Sequence, residues 1–262
     1  MSRILEGRVA VVTGASSEIG ATMADALAAE GAAVVATFNE TPGLAQEVAD
    51  RVNAEGGRAL AVRADLSRVS ENQRVVDAAV AEFGRLDVYV ANAGLTLWGP
   101  FLELDEEAWD TVVDLNLKGS YFGAQAAARQ MIAQRAETRD DAFCGRIVFS
   151  SSVTGIVATR NLSAYSATKA ALRHLASVLA LELGDHGITV NALGIGATVN
   201  ERNLADDPRY AEHWAEVTPT GRVGTPQDVA AALVYLVSPA AAMISGHTLT
   251  VDGGWSHVGK TP

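Results

Sequence analysis

Cysteine is all but missing. Cys144 is the only one in 262 residues, so no disulfide can close within the chain, and no cluster of cysteine and histidine has the spacing of a zinc site. Basic clusters are missing too: 20 Lys and Arg stand against 31 Asp and Glu, a formal net charge of −11. Nucleic-acid phosphates and anionic membrane surfaces select basic patches, so neither class of partner is expected. No stretch reaches the roughly 18 consecutive apolar residues of a membrane span. The opening MSRILEGRVAVVTGA lacks the long apolar segment and small-residue cleavage site of a secretory signal. It runs straight into a strand-like stretch, and a reducing cytoplasm is the expected compartment. The five histidines, at positions 174, 186, 213, 247 and 257, form no metal pattern and read as structural or surface groups. No metal is expected.

What the chain does have is 48% hydrophobic residues, enough for a full core in one unit. Short apolar runs alternate with longer amphipathic ones. Strands are expected at 8–13, 33–38, 59–66, 86–94, 146–152, 188–193 and 247–254. Helices are expected from the loop after 13 to Gly31, at 43–57, up to Phe83, at 105–136, at 163–187 and at 225–238. In 43–57, Leu44, Val48 and Val52 fall four apart on one face. Continuous apolar strands alternating with helices indicate an α/β fold, a parallel sheet of about seven strands covered on both faces. One domain over 1–262 is expected. Two stretches break the alternation. The charged segment 137–145 reads as a solvated surface insertion. The long polar segment 197–224 follows a strand's carboxyl end, where ligands bind in open α/β sheets, and reads as a substrate lid.

The stretch TGASSEIG, residues 13–20, carries the first chemical signal. The chain leaves a strand and must enter a helix within a few residues. Gly14 permits the tight turn, Gly20 lets the helix pack closely on the sheet, and the exposed helix amides favour an anion. Glu18 is the odd member, an acid where an anion should land. A carboxylate about 6 Å from a pyrophosphate charge costs on the order of 3 kcal/mol at an effective dielectric near 20. Solvent cuts that, the backbone amides survive the substitution, and the side chain can turn outward to water. Weakened but retained binding is therefore expected. The rival reading is a loop that has lost its nucleotide. Further along, Tyr165 and Lys169 are four apart on an expected helix, which stacks them on one face. A free phenol titrates near 10, and a neighbouring ammonium is expected to lower that toward a useful base. Ser152, just past a strand end, can hold a substrate oxygen beside Tyr165. Asn116 is a poor helix former in mid-helix, and a local kink is expected there.

Taken in order, these stretches resemble the short-chain dehydrogenase/reductase family. TGASSEIG is similar to its TGxxxGxG fingerprint, with Glu18 for the middle glycine. ANAG (91–94) resembles its NNAG stretch. Asn116, Ser152, Tyr165 and Lys169 match its active-site tetrad. NALGIGATVN (191–200) resembles its NAxxPGxxxT segment, with Ile195 for Pro and Asn200 for Thr. The resemblance covers residue 8 to about 255 and implies a Rossmann-like doubly wound sheet and hydride transfer between an alcohol or carbonyl and NAD or NADP. Tyr165 is then the acid/base, its pKa lowered by Lys169 together with the positive nicotinamide ring, Lys169 also bonds the nicotinamide ribose, and Asn116 joins a proton relay through a water near Lys169.

Within that resemblance, Gly14, Ser16, Ser17, Glu18, Ile19 and Gly20 form the phosphate loop. Asp65 and Leu66 flank the adenine, Asn92, Ala93 and Gly94 the ribose side, and Gly196 and Thr198 the nicotinamide amide. Phe38 and Asn39 stand where the adenosine ribose is read. An acid there would mark NAD and a base NADP; with neither, the preference stays open. Thr37, Ser17 and Asn39 could donate to a 2′-phosphate, while Glu18 and Glu40 would oppose it. Asn200, Glu201 and Asn203 are expected at the pocket mouth, similar to the family's sugar 1-dehydrogenases. A 3-oxoacyl reductase and, from a different class, a redox-inactive dinucleotide-binding scaffold are the alternatives. Trp98, Trp109, Trp214 and Trp255 read as packing groups, Trp98 and Trp214 on pocket-side segments. Homotetramers are common in the family, and the long helices 105–136 and 163–184 would pack across subunits.

Overall fold

The computed structural model describes residues 3–137, 144–258 and 260. Most of the expected surface insertion at 137–145 therefore lies outside the described residues. Seven strands pair in the order β3-β2-β1-β4-β5-β6-β7, all parallel. They are β1 Val9–Val12, β2 Ala33–Phe38, β3 Ala59–Arg63, β4 Val88–Ala91, β5 Gly145–Ser152, β6 Ile188–Ile195 and β7 Thr248–Val251. The order reverses between β1 and β4, and at such a switch point the loops leaving the two strands diverge and open a crevice. β1, β4 and β5 are buried along their whole length, as strands covered on both faces must be. That is why β1 and β4 read as unbroken apolar runs, while β5 buries Arg146 and three serines around its apolar centre.

Helices α1 Glu18–Ala29, α2 Gly43–Ala54 and α9 Pro226–Val237 cover one face, and Met23, Leu27, Val48 and Leu233 meet Val34, Val90 and Leu193 there. Helices α3 Val69–Phe83, α5 Ser120–Glu137 and α6 Ser163–Gly184 cover the other, around Val75, Tyr89, Met131, Phe149 and Leu172. Each fully buried side chain of this size contributes about 1.5–3 kcal/mol. At the amino ends of the strands Asp87 is buried, accepting from Val9 N (2.8 Å) and held by Arg85 (2.6 Å). That end is closed and structural.

The long helix expected over 105–136 is not uniform. It begins as α4 Glu106–Val113, capped by Asp105, widens into a π-helical turn over Asp114–Gly119, and resumes as α5. The expected irregularity at Asn116 takes that form. The polar segment after β6 holds two short helices, α7 Glu201–Asp206 and α8 Tyr210–Val217. Among the described residues no helix is long and apolar enough to cross a membrane.

Candidate active site

The floor of the crevice is a hydrogen-bonded chain across the strand ends. Buried Thr13 follows β1; its hydroxyl accepts the N–H groups of Asn92 (2.8 Å) and Ala93 (2.9 Å) and donates to Val90 O (3.1 Å). The Asn92 amide donates to Thr13 O (2.9 Å), and its oxygen accepts the Ser150 hydroxyl (3.0 Å). Ser150 O in turn accepts from Lys169 Nζ (2.7 Å). One continuous network thus ties β1, β4 and β5 to α6, and each polar side chain in it has at least one partner.

Above that floor the phosphate loop turns at Gly14, whose φ of +65° favours glycine and where a Cβ would lie 2.8 Å from Ala93 Cα. Ser17 caps α1, accepting from Gly20 N (3.2 Å) and donating to Gly14 O (2.9 Å). A Cβ on Gly20 would collide with the Gly14 carbonyl. Glu18 does not turn to water as expected. Its Oε2 accepts the backbone N–H of Glu201 at 2.9 Å, so the acid meets the first residue of α7.

Tyr165 and Lys169 lie one turn apart on α6, with Nζ 5.4 Å from the phenol ring centre. Ser152, the last residue of β5, accepts from the Thr154 N–H (3.2 Å) and hydroxyl (3.1 Å), and it shares the wall of one cavity with Thr96 and Tyr165. Lys169 by itself does not make the phenol acidic. Crowding by protein pushes the phenol above its ordinary value, outweighing the downward pull of Ser152 and Thr96. Burial instead pushes the Lys169 ammonium down to about 8, because a charge in low dielectric is destabilised whatever its sign.

Asn116, fully buried in the π-turn, clamps the loop after β4. Its Oδ1 accepts from Leu95 N (2.9 Å), its Nδ2 donates to Leu95 O (2.9 Å) and lies 3.4 Å from Thr168 Oγ1. Its backbone oxygen accepts the Ser120 hydroxyl (2.7 Å). The Asn116 side chain is thus engaged by the protein itself.

Two adjoining cavities occupy the crevice. The larger, about 1020 Å³, is bordered by Gly14, Ser16, Ser17, Phe38, Asn39, Asp65, Leu66, Asn92, Ala93 and Gly94. The smaller, about 440 Å³, shares Ser16, Ser17, Asn92 and Gly94 with it and adds Glu18, Ile19, Ser152, Tyr165, Lys169, Gly196 and Thr198. Of the expected site residues, only Gly20 and Asn116 stand behind the wall rather than in it. Thr37 lines the larger cavity but is buried and its hydroxyl accepts Gly14 N (3.1 Å). Asn200, expected at the mouth, lines the smaller cavity, yet its Oδ1 caps α7 through Asn203 N (2.8 Å).

Some residues were not anticipated. Thr96 joins Ser152 at the phenol. Ser150 carries the floor network to Lys169; the run SSS ending a fully buried strand was a usable signal, since polar groups there must have partners. Arg202 and Tyr210 line the smaller cavity. Asp105, Glu106, Glu107, Asp110 and Asp114 join Glu40 and Asp65 in the larger one, seven carboxylates with no Lys or Arg among the bordering residues. Nothing in the sequence indicated that the acidic start of α4 overhangs the crevice.

Residues 14–256 match the family model described as enoyl-(acyl carrier protein) reductase. The L-rhamnose 1-dehydrogenase (NAD(P)(+)) of Sphingomonas sp. is 37% identical over 254 residues, covering 96% of this chain and 97% of that one. The 3-oxoacyl-[acyl-carrier-protein] reductase of Synechocystis sp. is 37% identical over 253 residues, covering 95% and 97%. A short-chain dehydrogenase from Burkholderia cenocepacia, solved in complex with NADP, superposes with a TM-score of 0.87 at 35% identity, covering 96% of this chain and 99% of that one.

Proposed function

Because the chain belongs to the short-chain dehydrogenase/reductase family and is an NAD(P)-dependent oxidoreductase interconverting alcohols and carbonyls, we propose that its substrate is a small polyhydroxylated compound, an aldose or polyol, oxidised or reduced at Tyr165. The observation that carries this reading is the Tyr165 phenol beside Lys169, sharing the wall of a small cavity with Ser152 and Thr96. That cavity's mouth is polar, with Thr96, Asn200, Arg202, Asn203 and Tyr210. The Tyr210 phenol, pushed up to about 12 by burial, stays neutral and can donate to a hydroxyl.

The residues present fit a dinucleotide. Gly14 leaves a cradle that a Cβ would fill, and the two cavities join at Asn92 and Gly94 to give one extended groove. Ser16, Ser17, Glu18 and Ile19 would hold its phosphates by their backbone, with Gly20 letting α1 approach. Phe38, Asn39, Asp65 and Leu66 would hold the adenosine, Asn92, Ala93 and Gly94 the adjoining ribose, Lys169 the second ribose, and Gly196 and Thr198 the nicotinamide amide. When bound, the dinucleotide gives or accepts the hydride. In reduction Tyr165 donates its proton to the substrate oxygen while Ser152 and Thr96 hold that oxygen in place; in oxidation it takes the proton back. A phenol raised by burial is protonated at neutral pH, ready for the reductive direction. Lys169, charged below about 8, stabilises the phenolate as it forms. Asn116 acts by fixing the Leu95–Thr96 backbone.

The segment 197–224, with α7 and α8, is assigned as the substrate lid. An apolar groove of about 450 Å³ between the two long helices, bordered by Leu117, Tyr121, Phe122, Leu175 and Val178, supports a homotetramer, and light scattering of the purified protein tests it. The lone, buried Cys144 suits the cytoplasm. The decisive experiment is a substrate panel of aldoses, polyols, secondary alcohols, 3-oxoacyl thioesters and steroids, each with both nicotinamide cofactors. Aldoses or polyols should give the highest kcat/KM. A 3-oxoacyl thioester in first place would overturn the reading; its anionic pantetheine arm would have to pass the seven carboxylates of the crevice. A scaffold would bind NADH and turn over nothing.

A further inference from the structure

Glu18 occupies the first position of α1, half-buried, where the fingerprint it resembles has glycine. Its carboxylate reaches across 183 positions of sequence to the N–H of Glu201, 2.9 Å away. Glu201 is the first residue of α7, and its amide is one that a helix cannot satisfy internally. Asn200, at the cap, takes the N–H of Asn203 (2.8 Å), and the Asn203 amide donates to Thr198 O (2.9 Å). The first turn of α7 is therefore closed by one acceptor of its own and one from the phosphate loop. α7 has no fully buried residue, and Leu204, its one large apolar side chain, is 38% exposed, so apolar packing holds it only weakly. The remaining tie from its first turn to the crevice is long, Arg202 Nη2 to Thr96 O at 3.4 Å.

We propose that Glu18 is a latch, a positioning residue that fastens the start of the lid to the phosphate loop. The substitution has two opposite effects. Its charge opposes a pyrophosphate on the same loop, and its oxygen orders the segment that covers the substrate. The carboxylate sits at the first position of α1 and meets the first free amide of α7. The second effect rests on the geometry alone; the first rests on reading the loop as the dinucleotide site, and the two are separable.

Hydrogen exchange of the purified, dinucleotide-free protein tests the latch directly, with Glu18→Gly and Glu18→Gln beside the parent. In Glu18→Gly the protection of the Glu201 amide and of residues 201–206 should fall about tenfold, the loss expected for a charge-assisted bond. Protection in β4 and β5 should be unchanged. Glu18→Gln keeps an acceptor oxygen and should retain most of the protection. In turnover, Glu18→Gly should raise the KM for the substrate more than it lowers kcat, and Glu18→Gln should restore the KM. Unchanged protection of 201–206 in Glu18→Gly, or equal loss in both variants, overturns the latch. NADH titration is read separately: both variants should bind it more tightly than the parent. Failure of all three to bind NADH would overturn the dinucleotide reading while leaving the exchange result to decide the latch.

Discussion

On the floor of the crevice, Thr13, Ser150 and Lys169 are buried, and with the part-buried Asn92 each bonds the next across three strands and a helix. In the roof, α7 and α8 contain no fully buried residue. They are held by a carboxylate from the phosphate loop, by an Asp207–His213 contact of 2.7 Å, and by Trp214, whose ring meets Tyr210 and the buried Trp255 at 5.9 and 5.5 Å. The floor is thus ordered by burial and mutual satisfaction. The roof is ordered by a few separate contacts with solvent on one side. Segments of the second kind open at low free-energy cost. The contrast suits a site whose proton-transfer groups must stay fixed while substrate enters and leaves.

Breaking the floor should have the largest effect. Tyr165→Phe should lower kcat by about 100-fold or more, the scale of a lost general acid, while the dissociation constant for NADH, read by fluorescence, changes little. Turnover that survives this change would remove Tyr165 from the chemistry.

A smaller effect should appear with pH. The Tyr165 phenol is raised, so its proton is present through the neutral range and lost only in alkali. Lys169 is lowered to about 8, so its ammonium is present below that pH and lost above it. The reductive kcat/KM with respect to the dinucleotide, which reports the free protein, should be level at neutral pH and fall above about 8. A reductive rate that keeps rising past that point would show that Lys169 does not need its charge.

The smallest effect belongs to the roof. Trp214→Ala removes two aromatic contacts worth about 1 kcal/mol each. It should raise the substrate KM several-fold and lower the melting temperature by a few degrees, with kcat nearly unchanged. A comparable loss of kcat would mean that the roof helps hold the reacting groups, and the contrast with the floor would be blurred.

The floor was also the legible part. Strands buried on both faces have to be continuous apolar runs, and β2 stood in the sequence with its bounds intact. β3 and β4 ended earlier than their apolar runs did, at Arg63 and Ala91, because pairing stops where the strands diverge into the crevice. The four-residue spacing of Tyr165 and Lys169 placed them on one face before any coordinates. Thr96 was not legible, because its role comes from the Asn116 clamp on Leu95, a contact across 21 positions. The direction of the phenol's shift was also missed, because it depends on how tightly protein surrounds the ring.

Local pattern by itself determined the α/β alternation, the glycine turn after β1 and the Tyr–Lys pair, since each depends on residues within a few positions of one another. Only the tertiary structure decided where Glu18 points, which carboxylates overhang the crevice and what Asn116 holds. Those are meetings of distant segments, set by how helices and loops fall across the carboxyl ends of the sheet, and no local periodicity carries that information.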